Sequence, residues 1–432
     1  MLWLSKDLGF SDQGASALVG WVWAPAMTIF TLLAGSLTDA IGLRRTFFLG
    51  VAICTFARSV MVLTTDPALA LIAGLVPLAV GEALGTPVLL AATRVYSTTA
   101  QRSISFSIIY ALMNVGYFVA GYVFDFIRSV DLHLSIAGFQ PTAHEQLFAV
   151  SLALEIMLFP TIYFLRRRSE SDGRYEEREP KTHPTMVTTI RASARATADL
   201  FRRLIGQSGF YRLLVFFLFI GFLKAIFLQM DYVFPKFGDR EMGLHAPVGK
   251  LGGINAVLII ILAPIVGALT QRIASYRMVI IGGIICTIGV FIMALPSDWF
   301  VPAANSVFGT ALGHGYLRLS GAVHPYYIMS AFYLTVFSVG EAFYSPRVYE
   351  YAASIAPPGQ EASYGALAYI PFLVGKLLIG TSGWLLAAFC PAYGQCNPTA
   401  LWTIFGLAAA AAPAGLLVFR RYIQVPEAGR QD

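Results

Sequence analysis

The chain has 432 residues, of which 57% are hydrophobic and only 12% charged, and its mean hydropathy is +0.67. This composition excludes an ordinary soluble domain and predicts a polytopic membrane protein. A net charge of +6 with a pI near 9.1 would suit a nucleic-acid binder by magnitude alone, but the basic residues alternate with the apolar runs, which assigns them to membrane topology. Four cysteines in this length exclude a disulfide scaffold and show no zinc spacing. Cys390 and Cys396 bracket one short loop and can pair if it faces an oxidising side.

In chain order, Leu2 to Asp12 is too polar to span, and Gln13 to Asp39 is an apolar run interrupted by Gly20 and Pro25. Further spans are predicted at 46–65, 68–93, 104–126 and 146–165, each near the ~20 residues a helix needs to cross hydrocarbon. Arg166 to Ser208 follows, rich in Arg and Glu, and reads as a solvated cytoplasmic linker with an amphipathic helix at its end. Six more spans follow at 211–233, 250–270, 277–295, 326–352, 362–389 and 399–419. The expected fold is thus an all-α membrane protein with eleven transmembrane helices: a bundle over 1–165, a linker over 166–208, a second bundle over 209–423 and a tail over 424–432. Arg44/Arg45, Arg94/Arg102, the linker, Arg272/Arg277 and Arg420/Arg421 fall on one side, so the positive-inside rule puts them and the carboxyl terminus in the cytoplasm of a cell-membrane protein. Lys6, Arg128, Lys236, Arg240, Lys250 and Arg318 fall on the other side and are more scattered, beside the long segment Ser297 to Pro325.

The chain is internally doubled. Val80-Gly-Glu82-Ala-Leu-Gly-Thr86-Pro87 echoes Val339-Gly-Glu341-Ala-Phe-Tyr344-Ser345-Pro346, and Gly35 to Leu63 aligns without a gap on Gly267 to Leu295, with matches that include Gly50/Gly282 and Cys54/Cys286. The repeat pairs the first span here with the second span of the later half, so one helix before Met1 is expected to be absent from this chain. Two halves that each offer one intramembrane glutamate are the pattern of a secondary transporter whose site lies near mid-membrane.

Gly35-Ser-Leu-Thr-Asp39-Ala-Ile-Gly42-Leu-Arg44-Arg45 resembles the loop between the second and third helices of the major facilitator superfamily, where it serves as a cytoplasmic gating element. Within that superfamily the chain resembles the proton-dependent oligopeptide transporters. The resemblance rests on Phe106 to Gly116 with Tyr110 and Asn114, on Gln229, on Asn255 to Pro264, and on Gly340-Glu341, Ser345-Pro346 and Ala356-Pro357. It implies the major facilitator fold of two pseudo-symmetric helix bundles, a substrate-facing Asn114, and Glu341 as the group that binds a substrate amine or a coupling proton. Two departures stand out: a fourth-helix lysine of the family falls at Thr86, and an eleventh-helix asparagine falls at Lys376.

From chemistry alone, Glu341 and Ser345 share a helix face with Tyr344 close by, as Glu82 and Thr86 do on their own helix. A carboxylate withdrawn from water can take up a proton near neutral pH unless a cation sits beside it. Lys224 and Lys376 are candidate cations, able to hold a substrate carboxylate or Glu82 and Glu341, which are expected to face one another across a cavity. Tyr110, Asn114 and Tyr117 form one stripe, with Asn114 facing the cavity and the tyrosines either lining it or packing. Arg58 and Glu155 are read as scaffold, and Trp21, Trp23 and Trp384 as lipid-facing or interfacial.

No phosphate loop, metal-binding histidine pair or nucleophile elbow occurs, so neither ATP-driven pumping nor enzymatic chemistry has support; no cofactor or metal is expected, with a proton gradient as the driving force. The expected partners are the lipid bilayer and a small-molecule solute, with no nucleic acid. The function expected is proton-coupled symport of a small polar or zwitterionic solute such as a di- or tripeptide. The alternatives are a non-peptide exporter or uniporter, or a non-transporting sensor or assembly subunit with the same fold.

Overall fold

The computed structural model describes residues 1–96, 102–130, 140–164, 205–270, 273–355 and 370–424, with isolated positions between 188 and 203. The helices are α1 (Leu2–Lys6), α2 (Asp12–Ala17), α3 (Ala24–Ile41), α4 (Leu43–Leu63), α5 (Pro67–Leu69), α6 (Val76–Tyr96), α7 (Arg102–Val130) and α8 (Ala143–Phe164). They continue with α9 (Ser208–Tyr232), α10 (Phe234–Glu241), α11 (Val248–Leu269), α12 (Ser275–Ile292), α13 (Pro325–Ile355), α14 (Ile370–Phe389) and α15 (Pro398–Val418). Among the described residues no strand occurs. Among the described residues, nine helical segments are long and apolar enough to cross a membrane by length and composition. The other two long helices, α7 and α13, carry buried charges, Asp125 and Arg128 in one and Glu341 and Arg347 in the other. The linker expected over 166–208 and the start of the span expected at 362 lie almost wholly outside the described residues.

Local chemistry sets the helix ends. Ser11 accepts from the Gly14 N–H at 3.1 Å at the start of α2, and Asn397 accepts from the Ala400 N–H at 3.1 Å at the start of α15. Gly42, at φ +86°, makes the turn between α3 and α4, a conformation that a residue with a Cβ adopts only with strain. The interruption expected at Gly20 and Pro25 is a π-helical turn, Leu18–Trp23, that joins α2 to α3. Pro25 has no N–H to continue the ladder, so the preceding turn widens. Ser297 to Leu317 is a chain of short helical turns.

By contacts the chain forms two compact units, Met1–Trp21 with Tyr110–Asp131 and Ser208–Asp432, and Val22–Ile109 with Leu132–Gln207. The first unit thus contains two stretches of the earlier half together with the later one. The sequence repeat nevertheless has a physical counterpart inside each unit. In the second unit, a Cβ on Gly81 would lie 2.9 Å from the Gly50 carbonyl oxygen and 2.5 Å from Cys54 Sγ; in the first, a Cβ on Gly340 would lie 2.7 Å from the Gly282 oxygen and 2.6 Å from Cys286 Sγ. The repeated Gly and Cys positions are one helix crossing used twice, with small residues letting the backbones touch. It places the residue after each glycine, Glu82 or Glu341, beside a crossing too tight to shift. Gly340→Val is therefore expected to lower stability by about 1–3 kcal/mol, visible as a reduced unfolding midpoint in detergent, while Gly315→Val, with open space around its Cβ position, should change it little.

His324 precedes α13 and sets its entry, accepting at Nδ1 from the Tyr326 N–H at 3.3 Å. Burial lowers its pKa below the ordinary histidine value. The unfolded ring takes up a proton as pH falls through about 6.5 while the folded ring resists, so this group removes stability from about pH 6.5 downward until the folded pKa is passed. The acid loss of thermal stability should thus be smaller in His324→Gln than in the parent chain. An equal loss in both would exclude this role.

Candidate functional site

The polar groups that sequence reasoning singled out in the later half converge within the first unit. α11 packs on α13, and α9 on α14. Glu341, 3% exposed, accepts from Asn255 Nδ2 at 3.0 Å, and the same amide donates to Ser338 Oγ at 2.9 Å. Lys224, 6% exposed, donates to Ser345 Oγ at 3.4 Å. Its Nζ lies over three rings, Phe372 at 4.9 Å, Tyr344 at 5.2 Å and Phe227 at 5.6 Å. Lys224 and Glu341 attract each other through space, so two buried opposite charges on α9 and α13 offset one another. The aromatic faces contribute about 0.5–2 kcal/mol to holding the ammonium. An anion or a cation brought to this site would compete for one member of the pair.

Further along α9, Gln229 Nε2 donates to Ser382 Oγ at 2.8 Å, while its Oε1 is buried with no hydrogen-bond partner. Lys376 on α14 is half-buried and interacts electrostatically with Asp231 of α9. Asp231 was missed from sequence because it falls at the end of a predicted span; its spacing of seven residues from Lys224, two helical turns on one face, was the available signal. Asn114 is buried at 9% exposure and Tyr117 is exposed at 55%. The side chain of Tyr110 lies outside the described residues.

Glu82 sits in the second unit and is held by an arginine. Arg58 of α4 donates through Nε to Glu155 Oε1 of α8 at 2.5 Å and through Nη2 to Glu82 Oε1 of α6 at 3.3 Å. The gating-loop residues Arg44 and Arg45 are exposed at the start of α4, beside the Gly42 turn. The side chains of Thr86 and Asp39 and the surroundings of Gly35 lie outside what the structure describes.

Lys6, Arg128, Lys236 and Arg240, four of the basic residues described above as scattered, are gathered in one ion network within the first unit. Lys236 Nζ bonds Asp12 Oδ1 at 2.6 Å and also Ser5 Oγ, and Arg240 Nη2 bonds Asp12 Oδ2 at 2.8 Å. Asp239 accepts from Lys6 Nζ at 2.7 Å and from Arg128. Asp125 receives the Gly249 and Lys250 N–H groups at 3.0 and 2.6 Å, which caps α11. Nearby, α7 and α11 touch backbone to backbone, since a Cβ on Gly121 would lie 2.9 Å from the Gly249 carbonyl carbon. Partners more than a hundred residues apart leave no local sequence signal, so only the fold shows this network. Trp21 and Trp384, expected to be interfacial, stack at 5.1 Å while each stays partly exposed, and Cys390 is bonded to Cys396. Among the described residues no three His, Cys, Asp or Glu side chains form a metal site.

The fold is similar to that of solved transporters. One is a peptide transporter POT in complex with sulfate, at TM-score 0.70 and 16% identity, covering 96% of this chain and 87% of that one. A second is a POT family transporter in complex with 5-aminolevulinic acid, at TM-score 0.68 and 14% identity, covering 97% and 90%. A third is a bacterial homologue of the human drug peptide transporters PepT1 and PepT2, at TM-score 0.63 and 18% identity, covering 97% and 93%. At such identities the likeness is one of fold. No curated protein matches the chain. The model of the Major Facilitator Superfamily matches residues 1–317, nearly three-quarters of the length, and with the doubled helical architecture this establishes that the chain belongs to the major facilitator superfamily.

Proposed function

We propose that the chain is a proton-coupled symporter that moves a small zwitterionic solute, such as a di- or tripeptide, into the cytoplasm by alternating access. The observation that carries this reading is the buried Glu341, bonded to Asn255 and offset by Lys224. A carboxylate in that setting can hold a proton or a substrate amine, and either one would free Lys224 to meet a substrate carboxylate. The fold likeness to peptide transporters, one bound to 5-aminolevulinic acid, supports the solute class. Lys376 of α14 and Asp231 of α9 offer a second pair of opposite charges, suited to the two ends of a zwitterion. The ion network around Asp12 and Asp239 is the latch that keeps its end of the first unit closed while the site is reached from the other end. Proposed with this reading are the halves over 1–165 and 209–423, a cytoplasmic carboxyl terminus, and a cell-membrane location.

The test is uptake of labelled di- and tripeptides and amino acids into proteoliposomes under an imposed inward proton gradient. Accumulation above equilibrium, abolished by a protonophore, is expected. Uptake that merely equilibrates whatever the gradient would replace symport by uniport, and no uptake of any zwitterion would overturn the solute class.

A further inference from the structure

The Arg58 triad of the second unit has a geometry that a static scaffold does not require. α4 packs on both α6 and α8, and its Arg58 lies between a carboxylate from each. An arginine meets one carboxylate best side-on, with Nε–H and one terminal N–H donating to its two oxygens. Here that fork is split. Nε holds Glu155 Oε1 at 2.5 Å, while Nη2 reaches away to Glu82 Oε1 at 3.3 Å. Glu155 Oε2, the oxygen that the second tine would satisfy, is buried without any hydrogen-bond partner.

Two carboxylates share the one guanidinium, and a carboxylate that a guanidinium holds only weakly within an apolar helix takes up a proton more readily than one held closely. Of the two carboxylates, Glu82 has the longer contact and the more open side chain, 33% exposed against 14% for Glu155. A further ionisable group at the triad is the Cys54 thiol, one turn before Arg58. The π-helical turn Ala70–Leu75 packed on α4 and α6 has no ionisable side chain, and the one carboxylate of α3, Asp39, is at the far end of that helix by the Gly42 turn.

We propose that Glu82 is a proton-binding site in its own right and that Arg58 is its switch. When a proton from water binds a Glu82 carboxylate oxygen, that group stops attracting the guanidinium, and Arg58 Nη2 swings to Glu155 Oε2. The result is a bidentate Arg58–Glu155 pair between α4 and α8, with the Arg58 tie to α6 removed. Loss of the proton reverses the exchange. One O–H bond forms or breaks, and no other atom is transferred. Within the transport cycle proposed above, on which the coupling role rests, this gives a second coupling proton separate from Glu341. Glu155 and Arg58 then act as positioning residues for Glu82.

Infrared titration of the purified, reconstituted chain without substrate reads the site directly. The parent should show a protonated-carboxyl band that disappears as pH rises and is absent in Glu82→Gln, whereas Glu341→Gln should keep the Glu82 band. Glu155→Gln removes the alternative home for Arg58, so the Glu82 band should then vanish at a pH lower by one unit or more; Arg58→Gln should move it the other way. In vesicles, losing one coupled proton should reduce accumulation about tenfold per pH unit of gradient. A spectrum of Glu82→Gln identical to the parent would overturn the site, and an unmoved band in Glu155→Gln would overturn the switch. Because the spectra need no transport, they stand even if gradient-driven uptake is not found.

Discussion

Glu341→Gln is expected to abolish accumulation under a proton gradient and to lower stability by about 3–5 kcal/mol, the usual cost of leaving one member of a buried ion pair unmatched. Gln keeps the length of the side chain and can still accept from Asn255, so shape is retained. What is lost is the negative charge that offsets Lys224, whose ammonium is 6% exposed among Phe227, Tyr344 and Phe372. The aromatic faces recover only part of that charge's solvation. Combining Glu341→Gln with Lys224→Met should restore much of the unfolding midpoint without restoring transport, because the two losses are not additive when the charges interact. Additive stabilities would show that the two groups act independently. Full accumulation by Glu341→Gln would remove this residue from the coupling role.

The second large effect is expected at Asp239→Asn. Asp239 binds both Lys6 and Arg128, the latter 4% exposed, and it also accepts from the His245 N–H at 3.2 Å. An amide offsets neither cation, so the closed end should be weakened by about 3 kcal/mol, which is roughly two powers of ten in the open–closed equilibrium. Ser16 provides the reporter. It is buried between α2 and α14, donating to the Gly380 oxygen at 3.0 Å and accepting from the Gly383 N–H at 3.1 Å. Cys54 and Cys286 are buried and the other two cysteines are bonded to each other, so a Ser16→Cys probe has a low background. Its labelling should accelerate at least tenfold in Asp239→Asn and return partly toward the parent rate in Asp239→Glu. An unchanged rate would mean that the network is not the latch.

What the sequence determined was carried by composition and by spacing. Apolar runs of the right length fixed the helices, because a bilayer accepts little else. The Gly-Glu repeat marked Glu82 and Glu341 before any contact was known, and the repeat proved to be a helix crossing in each unit. Glu341, Asn255, Ser345 and Lys224 were legible one by one, since each polar residue is an exception inside its own apolar helix. The partnerships were not. That Asn255 serves Glu341, that Arg58 divides its fork between Glu82 and Glu155, and that Asp12 and Asp239 gather cations from three distant stretches are facts of which helix packs on which. Charge alone says only that a partner must exist; the low dielectric makes it obligatory, and the tertiary structure decides which residue it is.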